Sequence, residues 1–184
     1  PTIWLAGTRL SEQPIHRYCG RCWPSRRVKN SGSLAVARAA GRMVVGYAGS
    51  MGLPNALDAL LDAAALLRGV ALQFVLVGDG HEKARLARRV ADESLDNVTL
   101  LPPVPKHQVP SLLAQFDIAT IGWQRSPIYR FGIAPNKLMD YMMAGRAVLC
   151  AIEAGNDPVG EACCGVTVKA ESAPAIADGL RRLA

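Results

Sequence analysis

The sequence has no apolar run long enough to cross a lipid bilayer. Half of its 184 residues are apolar, but glycine, proline or charged residues interrupt each apolar stretch, and a membrane-spanning helix needs about 20 consecutive apolar residues. We therefore expect a soluble protein. The length suits one α/β domain with a core of its own plus a tail, and is too short for a two-domain enzyme.

The sequence also lacks the second cysteine pair that a structural zinc site would need. Its cysteines are Cys19, Cys22, Cys150, Cys163 and Cys164. Adjacent cysteines cannot complete a zinc site with the first pair, and Pro24 with its arginine-rich surroundings argues against a redox motif. Cys150 ends an apolar stretch and is expected in the core. An odd cysteine count without a signal peptide predicts a reducing cytoplasm.

Excess charge is missing from most of the chain, although the net charge is +6. Residues 1–42 hold eight basic residues and one acidic residue, whereas the remainder holds 13 basic and 14 acidic residues. Basicity is therefore confined to an arm without apolar periodicity, which we expect to be irregular or partly disordered. The near-neutral remainder gives no indication of nucleic-acid binding.

From residue 43 onward, short apolar strands alternate with helices. Strands are predicted over residues 43–48, 72–77, 98–101, 118–121, 147–152 and 166–168. Helices are predicted from Pro54, over residues 82–91, from Pro110, after Pro135, briefly after Pro158 and from Pro174. This alternation predicts a Rossmann-like, doubly wound parallel sheet over residues 43–184, with ligands at the carboxyl ends of its strands.

The clearest functional signal lies in residues 129–150, where an irregular loop enters a helix and then a buried strand. Pro135 precedes the helix, Asn136 is predicted as its N-cap, and the free N–H groups that follow favour an anion. Arg130 and Lys137 would add charge-assisted hydrogen bonds to a phosphate, and Asp140 could accept two sugar hydroxyls. The alternative is an amphipathic helix that packs on the sheet and leaves Asp140 solvated.

The Pro-Asn-Lys-Leu-x-Asp-Tyr-Met-x-Ala-Gly pattern of this segment resembles the donor-binding motif of retaining GT-B glycosyltransferases, family 4 (group 1), of the bacterial surface-polysaccharide type. The resemblance covers residues 43 to about 170. Residues 45–52 resemble the family's first strand and glycine loop, where backbone amides at Gly49, Ser50 and Gly52 would approach a diphosphate. By the same resemblance, the main chain near Val104 would border the nucleobase.

The chain departs from the family pattern at two places. The family has two glutamates about eight positions apart. Asp140 fits the second, which holds the ribose, but Gly132 occupies the position of the first. Sugar recognition would then use the backbone at Gly132, Ile133 and Ala134. The basic pair that relatives carry after the first strand is also missing, so the resemblance assigns the diphosphate to Arg130 and Lys137, the catalytic candidates. Two weaker candidates, expected to be plain surface residues, are Arg125 and Lys106.

The resemblance implies the donor-binding half of an enzyme that moves a sugar from a nucleotide diphosphate sugar to a saccharide or lipid-linked acceptor, with retention. It implies no metal, no further cofactor, and an N-terminal Rossmann domain that supplies the acceptor site. The intact enzyme would lie in the cytoplasm and could associate with the inner face of the membrane. The alternatives are a non-catalytic nucleotide- or phosphate-binding α/β module and a regulatory domain of the flavodoxin or receiver kind.

Overall fold

A computed structural model describes residues 40–184, which form a six-stranded sheet between two layers of helices. The strands are β1 (Met43–Ala48), β2 (Leu72–Val77), β3 (Val98–Leu101), β4 (Ile118–Gly122), β5 (Ala147–Ala151) and β6 (Gly165–Thr167). All pairings are parallel, in the order β3-β2-β1-β4-β5-β6. This is the order of the dinucleotide-binding Rossmann fold and not that of flavodoxin-like domains. The predicted fold class is confirmed, and the flavodoxin or receiver alternative is excluded.

The described helices alternate with these strands, as the sequence predicts. They are α1 (Leu57–Leu66), α2 (Lys83–Asp92), α3 (Val109–Leu113), α4 (Asn136–Met143), α5 (Pro158–Glu161) and α6 (Ala173–Leu183). Short 3₁₀ helices cover Leu53–Asn55, Lys106–Gln108 and Pro127–Phe131.

The core consists of two apolar layers, one on each face of the sheet. Helices α1, α2 and α6 pack on one face, and α3, α4 and α5 pack on the other. Strand β2 is buried along its whole length, as expected for a parallel strand covered on both faces. Cys150 on β5 is 2% exposed and belongs to the core, as predicted.

Two predicted helix starts differ from the structure. Pro54 lies in a separate 3₁₀ helix. Ala56, which has a left-handed backbone conformation (φ 46°), separates this 3₁₀ helix from α1. The prediction of Asn136 as N-cap is wrong by one residue. Pro135 is the N-cap, with extended backbone (φ −70°, ψ 127°), and no side chain caps the helix. Proline ring geometry fixes φ at a value compatible with that position, so Asn136 becomes the first helical residue.

The prediction of an irregular arm over residues 1–42 falls almost wholly outside the described residues, as does the cysteine pair at residues 19 and 22. At the start of the described part, the Arg42 guanidinium donates to the Gln73 side chain of β2 at 2.9 Å.

Candidate donor site at the carboxyl edge of the sheet

The carboxyl ends of β1, β2 and β3 enclose a cleft of about 270 Å³ beside the point where the strand order reverses. Ligands of doubly wound sheets bind at such switch points. The cleft is lined by Ala48, Gly49, Ser50, Val77, Gly78, Asp79, Pro103, Val104, Val109 and Leu112. The structure therefore brings together three predicted donor-binding residues, Gly49, Ser50 and Val104. Gly52 is buried close to the His81 ring and does not line the cleft.

Gly49 allows the lysine of α4 to reach the end of β1. Its φ is 150°, and an ideal Cβ at this position would lie 2.5 Å from Cε and 2.8 Å from Nζ of Lys137. Both the backbone conformation and this close approach favour glycine. The predicted glycine loop and the predicted phosphate-binding lysine are thus direct neighbours, although 88 positions separate them in the chain.

Lys137 is held by neutral partners. Its Nζ donates to the Tyr47 hydroxyl at 2.7 Å and to Asn55 Oδ1 at 3.0 Å, and lies 4.5 Å from the Tyr47 ring centroid. Burial lowers the pKa of Lys137 to about 8. The ammonium is thus partly desolvated, which strengthens its interaction with any anion that enters.

The same neighbours fix the carbonyl of Ser50. The Tyr47 hydroxyl donates to this oxygen at 2.5 Å, and Asn55 Nδ2 donates to it at 3.0 Å. Tyr47 is 1% exposed, and burial raises its pKa. Sequence analysis missed Tyr47 and Asn55 as site residues. The available signal was a polar hydroxyl inside an otherwise apolar strand, since a buried tyrosine hydroxyl usually has a hydrogen-bond partner.

Helix α4 presents Asn136 and Asp140 to solvent, whereas Leu138 in its first turn is buried. The N–H of Leu138 bonds back to the Pro135 carbonyl at 2.9 Å, so the N-terminal N–H groups outside this bond are those of Asn136 and Lys137. Asn136 and Asp140 are both exposed. Asp140 lines a small hollow with Val109, which also lines the cleft. Asp140 therefore does not line the cleft itself but lines a hollow that adjoins it at Val109.

The loop that carries the other predicted contacts is tied to the segment after β5. Asn156 Oδ1 accepts from the Ile133 N–H at 2.8 Å, and Asn156 Nδ2 donates to the Ile133 carbonyl at 3.0 Å. The Gly132 N–H donates to the Tyr129 carbonyl at 2.9 Å. The N–H groups of Gly132 and Ile133 are thus engaged internally. Of the three predicted backbone donors, the exposed Ala134 is left as the candidate for a ligand.

Arg130 lies on the wall of a different, open groove. This groove, of about 890 Å³, lies between the loop 126–130 and the segments after β5 and β6. The exposed Arg130 guanidinium stacks 4.7 Å from the Phe131 ring centroid. The structure therefore does not bring Arg130 into contact with Lys137 and the glycine loop. Arg125 is paired with Glu153 at 2.6 Å, in line with a surface role.

Within residues 40–184, no helix is both long and apolar enough to cross a membrane. The same part of the chain contains no group of three or more His, Cys, Asp or Glu residues placed to hold a metal ion. His81 and His107 are both exposed.

Comparison with known families identifies the class of protein to which this fold and cleft belong. The model of the family "Glycosyl transferases group 1" matches residues 42–184. The chain therefore belongs to the group 1 glycosyl transferases, and the family resemblance drawn from the Pro-Asn-Lys segment is confirmed.

Individual relatives agree with this assignment. WcaI of Escherichia coli (strain K12), whose name describes a colanic acid biosynthesis glycosyl transferase, is 27% identical over 146 residues, which cover 77% of this chain and 35% of that protein. The fold is similar to Anabaena Alr3699/HepE, solved with UDP-glucose (TM-score 0.65, 18% identity, covering 83% of this chain and 42% of that one). WaaG, a glycosyltransferase involved in lipopolysaccharide biosynthesis, is similar too (TM-score 0.64, 18% identity, 85% and 42%).

The chain thus spans about a third of this curated relative and about two fifths of these solved structures. The matched sheet is the Rossmann-like half of a GT-B fold, as predicted.

Proposed function

We propose that this domain binds the nucleotide diphosphate sugar of a glycosyltransferase that transfers the sugar with retention and without a metal ion. The observation that carries the proposal is the position of Lys137. Its partly buried ammonium lies beside Gly49 of the glycine loop, next to the topological switch of the sheet, where a diphosphate would lie against backbone amides.

The cleft residues suggest how the donor would lie. Gly49 and Ser50 would face the phosphates beside Lys137, and Val104 at the opposite wall would border the base. The first N–H groups of α4 add positive potential on the same side. Asp140, which lines the adjoining hollow, would accept the ribose hydroxyls.

The sugar would extend from the diphosphate towards the loop that precedes α4. Since the Gly132 and Ile133 N–H groups are engaged, recognition there would rest on the Ala134 backbone and the exposed Asn136 side chain. We keep Arg130 as a second basic candidate for the diphosphate. In the structure its guanidinium lies in the neighbouring groove, so this role needs a side-chain movement towards the cleft.

Catalysis would come from charge stabilisation and positioning. Negative charge develops on the departing diphosphate as the glycosidic bond breaks, and a preorganised ammonium in a partly desolvated site stabilises this charge. Lys137 would supply the charge that relatives obtain from basic residues after the first strand.

The names of the relatives support a proposal for the class of acceptor and for the pathway. WcaI is named for colanic acid biosynthesis, WaaG for lipopolysaccharide biosynthesis, and HepE is solved with UDP-glucose. We propose that the whole protein acts in surface-polysaccharide synthesis in the cytoplasm, on a saccharide or lipid-linked acceptor. A further Rossmann domain would provide the acceptor site.

Calorimetry with UDP, GDP and CMP compounds tests the donor site. One nucleoside diphosphate should bind, and its affinity should fall by about 1 to 3 kcal/mol in Lys137→Met, the usual loss for a hydrogen bond to a charged group. Methionine matches the apolar stem of lysine and lacks the ammonium. If no member of the panel binds to the folded chain, the proposal is wrong.

A further inference from the structure

We propose that Tyr47 and Asn55 are positioning residues that hold Lys137 against the glycine loop and keep its charge available for the diphosphate. This inference rests on the proposed donor function and names the residues on which it depends. Neither residue is a phosphate ligand in this proposal, because each acts through the lysine.

The hydrogen-bond directions carry the first step. The Tyr47 hydroxyl has one proton, which it donates to the Ser50 carbonyl at 2.5 Å, so towards Lys137 its oxygen can only accept. Asn55 divides its amide in the same way, with Nδ2 donating to Ser50 and Oδ1 accepting from Lys137. Both side chains therefore connect the lysine to a carbonyl of the glycine loop.

Counting donors gives the second step. A lysine ammonium has three N–H donors, and Tyr47 and Asn55 take two of them. One donor is left for a ligand. The cleft residue Gly49 lies beside Nζ, so a phosphate on the glycine loop is within reach of this remaining donor.

The charge balance gives the third step. Arg85, Arg89, Arg125 and Arg181 each form an ion pair with a carboxylate. In the part of the chain that the structure describes, no ion pair involves Lys137. Its two acceptors are neutral, and the face of the Tyr47 ring lies below it. A neutral cradle fixes an ammonium without cancelling its charge, which is the arrangement that an anion-binding site needs.

Three variants of the full 184-residue chain test this inference. Tyr47→Phe keeps the ring and removes the hydroxyl. Asn55→Asp keeps the shape and places a carboxylate on the ammonium. Tyr141→Phe is the matched control, because Tyr141 is also 1% exposed and its hydroxyl also contacts the end of β1, at the Ala48 N–H, but not Lys137. Circular dichroism and melting temperatures would show which variants are folded.

The readout is the NMR signal of the Lys137 side chain during titration with inorganic pyrophosphate, alongside titrations with UDP and uridine. We expect Tyr47→Phe to weaken pyrophosphate and UDP binding by about fivefold or more, because it removes a charged hydrogen bond that holds Lys137. We expect a similar loss in Asn55→Asp, because its carboxylate would pair with the ammonium and cancel the charge that attracts the phosphate. Uridine binding should stay unchanged, and Tyr141→Phe should leave all three affinities unchanged. If Tyr47 had a purely structural role, Tyr47→Phe would weaken uridine binding as much as pyrophosphate binding, and Tyr141→Phe would weaken binding in the same way.

The outcomes separate this inference from the proposed function. If pyrophosphate binds and both variants weaken it while no nucleotide binds, the positioning role stands and the donor assignment fails. If pyrophosphate does not perturb Lys137, or binds equally well to the wild type, Tyr47→Phe and Asn55→Asp, the inference is overturned. Because Asn55 is only partly buried, Asn55→Asp decides the matter even if Tyr47→Phe fails to fold.

Discussion

Local sequence predicts Lys137 as a site residue, and the tertiary structure shows where its ammonium lies. Its place in the first turn of α4 predicts an anion site, but the structure adds that its ammonium reaches the end of β1. There it occupies the region where the family resemblance predicts a basic pair. The chain thus provides positive charge at the glycine loop from a different element, and the neighbours that hold it are Tyr47 and Asn55.

The depressed pKa of Lys137 predicts pH-dependent donor binding. Burial lowers this pKa to about 8, and a bound diphosphate would raise it, so binding takes up a proton. Affinity should be highest below pH 8 and fall by up to about tenfold per pH unit above it. Calorimetry at several pH values measures this decline. Lys137→Met should bind weakly with no such decline, and a wild-type profile parallel to that of the variant would contradict the prediction.

In the domain without ligand, the lowered pKa of Lys137 makes the free energy of unfolding depend on pH. Folded Lys137 gives up its proton near pH 8 and unfolded lysine near 10.5. Between these values the unfolded state binds more protons, so the contribution of this residue to the free energy of unfolding rises with pH. Burial raises the pKa of the adjacent Tyr47, which remains protonated through this window.

Asp140 gives a second prediction at the scale of a single residue. Asp140→Asn should weaken binding of UDP or GDP by about 1 to 3 kcal/mol, because a neutral amide accepts ribose hydroxyl hydrogen bonds less strongly than a carboxylate. Asp92→Asn, at an exposed position at the end of α2, is the matched control and should bind normally. Equal affinities of the wild type and folded Asp140→Asn would remove the residue from the site.

At the scale of elements, local sequence predicts the strands well. The central strands β1, β2, β4 and β5 are short apolar segments that are buried on both faces, so composition and burial agree. Helix starts are less certain, because a proline is compatible both with the N-cap and with the first turn. The start of α4 was misplaced by one residue for this reason.

The candidate site is only partly predictable from the sequence. The Pro-Asn-Lys segment and the glycine loop are local signals that follow different strands. Only the sheet topology, which places β1 beside β4, brings these two segments together. The hydrogen bonds from Lys137 to Tyr47 and Asn55 join residues 90 and 82 positions apart. No local rule predicts such pairs. The internal use of the Ile133 N–H by Asn156 was likewise unpredictable.

The loops after β1 and β2 approach each other so closely that a side chain at Gly78 is predicted to destabilise the domain. An ideal Cβ there would lie 1.8 Å from the Gly49 carbonyl oxygen, and its φ is 156°. Gly78→Ala should therefore lower the free energy of unfolding by more than about 2 kcal/mol in urea denaturation. Gly69→Ala is the control: φ is 81°, but nothing lies within 4 Å, so only the backbone cost of about 1 kcal/mol applies. Equal losses in the two variants would mean that the loops can separate without cost.

At the scale of the whole molecule, the donor features lie on one edge of one sheet. The glycine loop and Val104 line the cleft at this edge, Lys137 lies beside Gly49, and Asp140 lines an adjoining hollow that shares Val109 with the cleft. The chain also spans 35% of WcaI and 42% of HepE. Under the proposed function, the acceptor site would be provided by a further domain.

This architecture predicts that the 184-residue chain binds donor nucleotide weakly and transfers no sugar. A diphosphate at an open edge stays in contact with water, where electrostatic stabilisation is much weaker than in a closed, water-excluded cleft. Binding can survive this exposure, but stabilisation of the charge that develops during bond cleavage cannot.

The chain would be incubated with nucleotide sugars and with free or lipid-linked saccharide acceptors, and products would be sought by mass spectrometry. A complete two-domain group 1 glycosyl transferase in the same assay is the positive control. Transfer by this chain above the uncatalysed background would contradict the prediction, because it would show that the chain holds an acceptor site of its own.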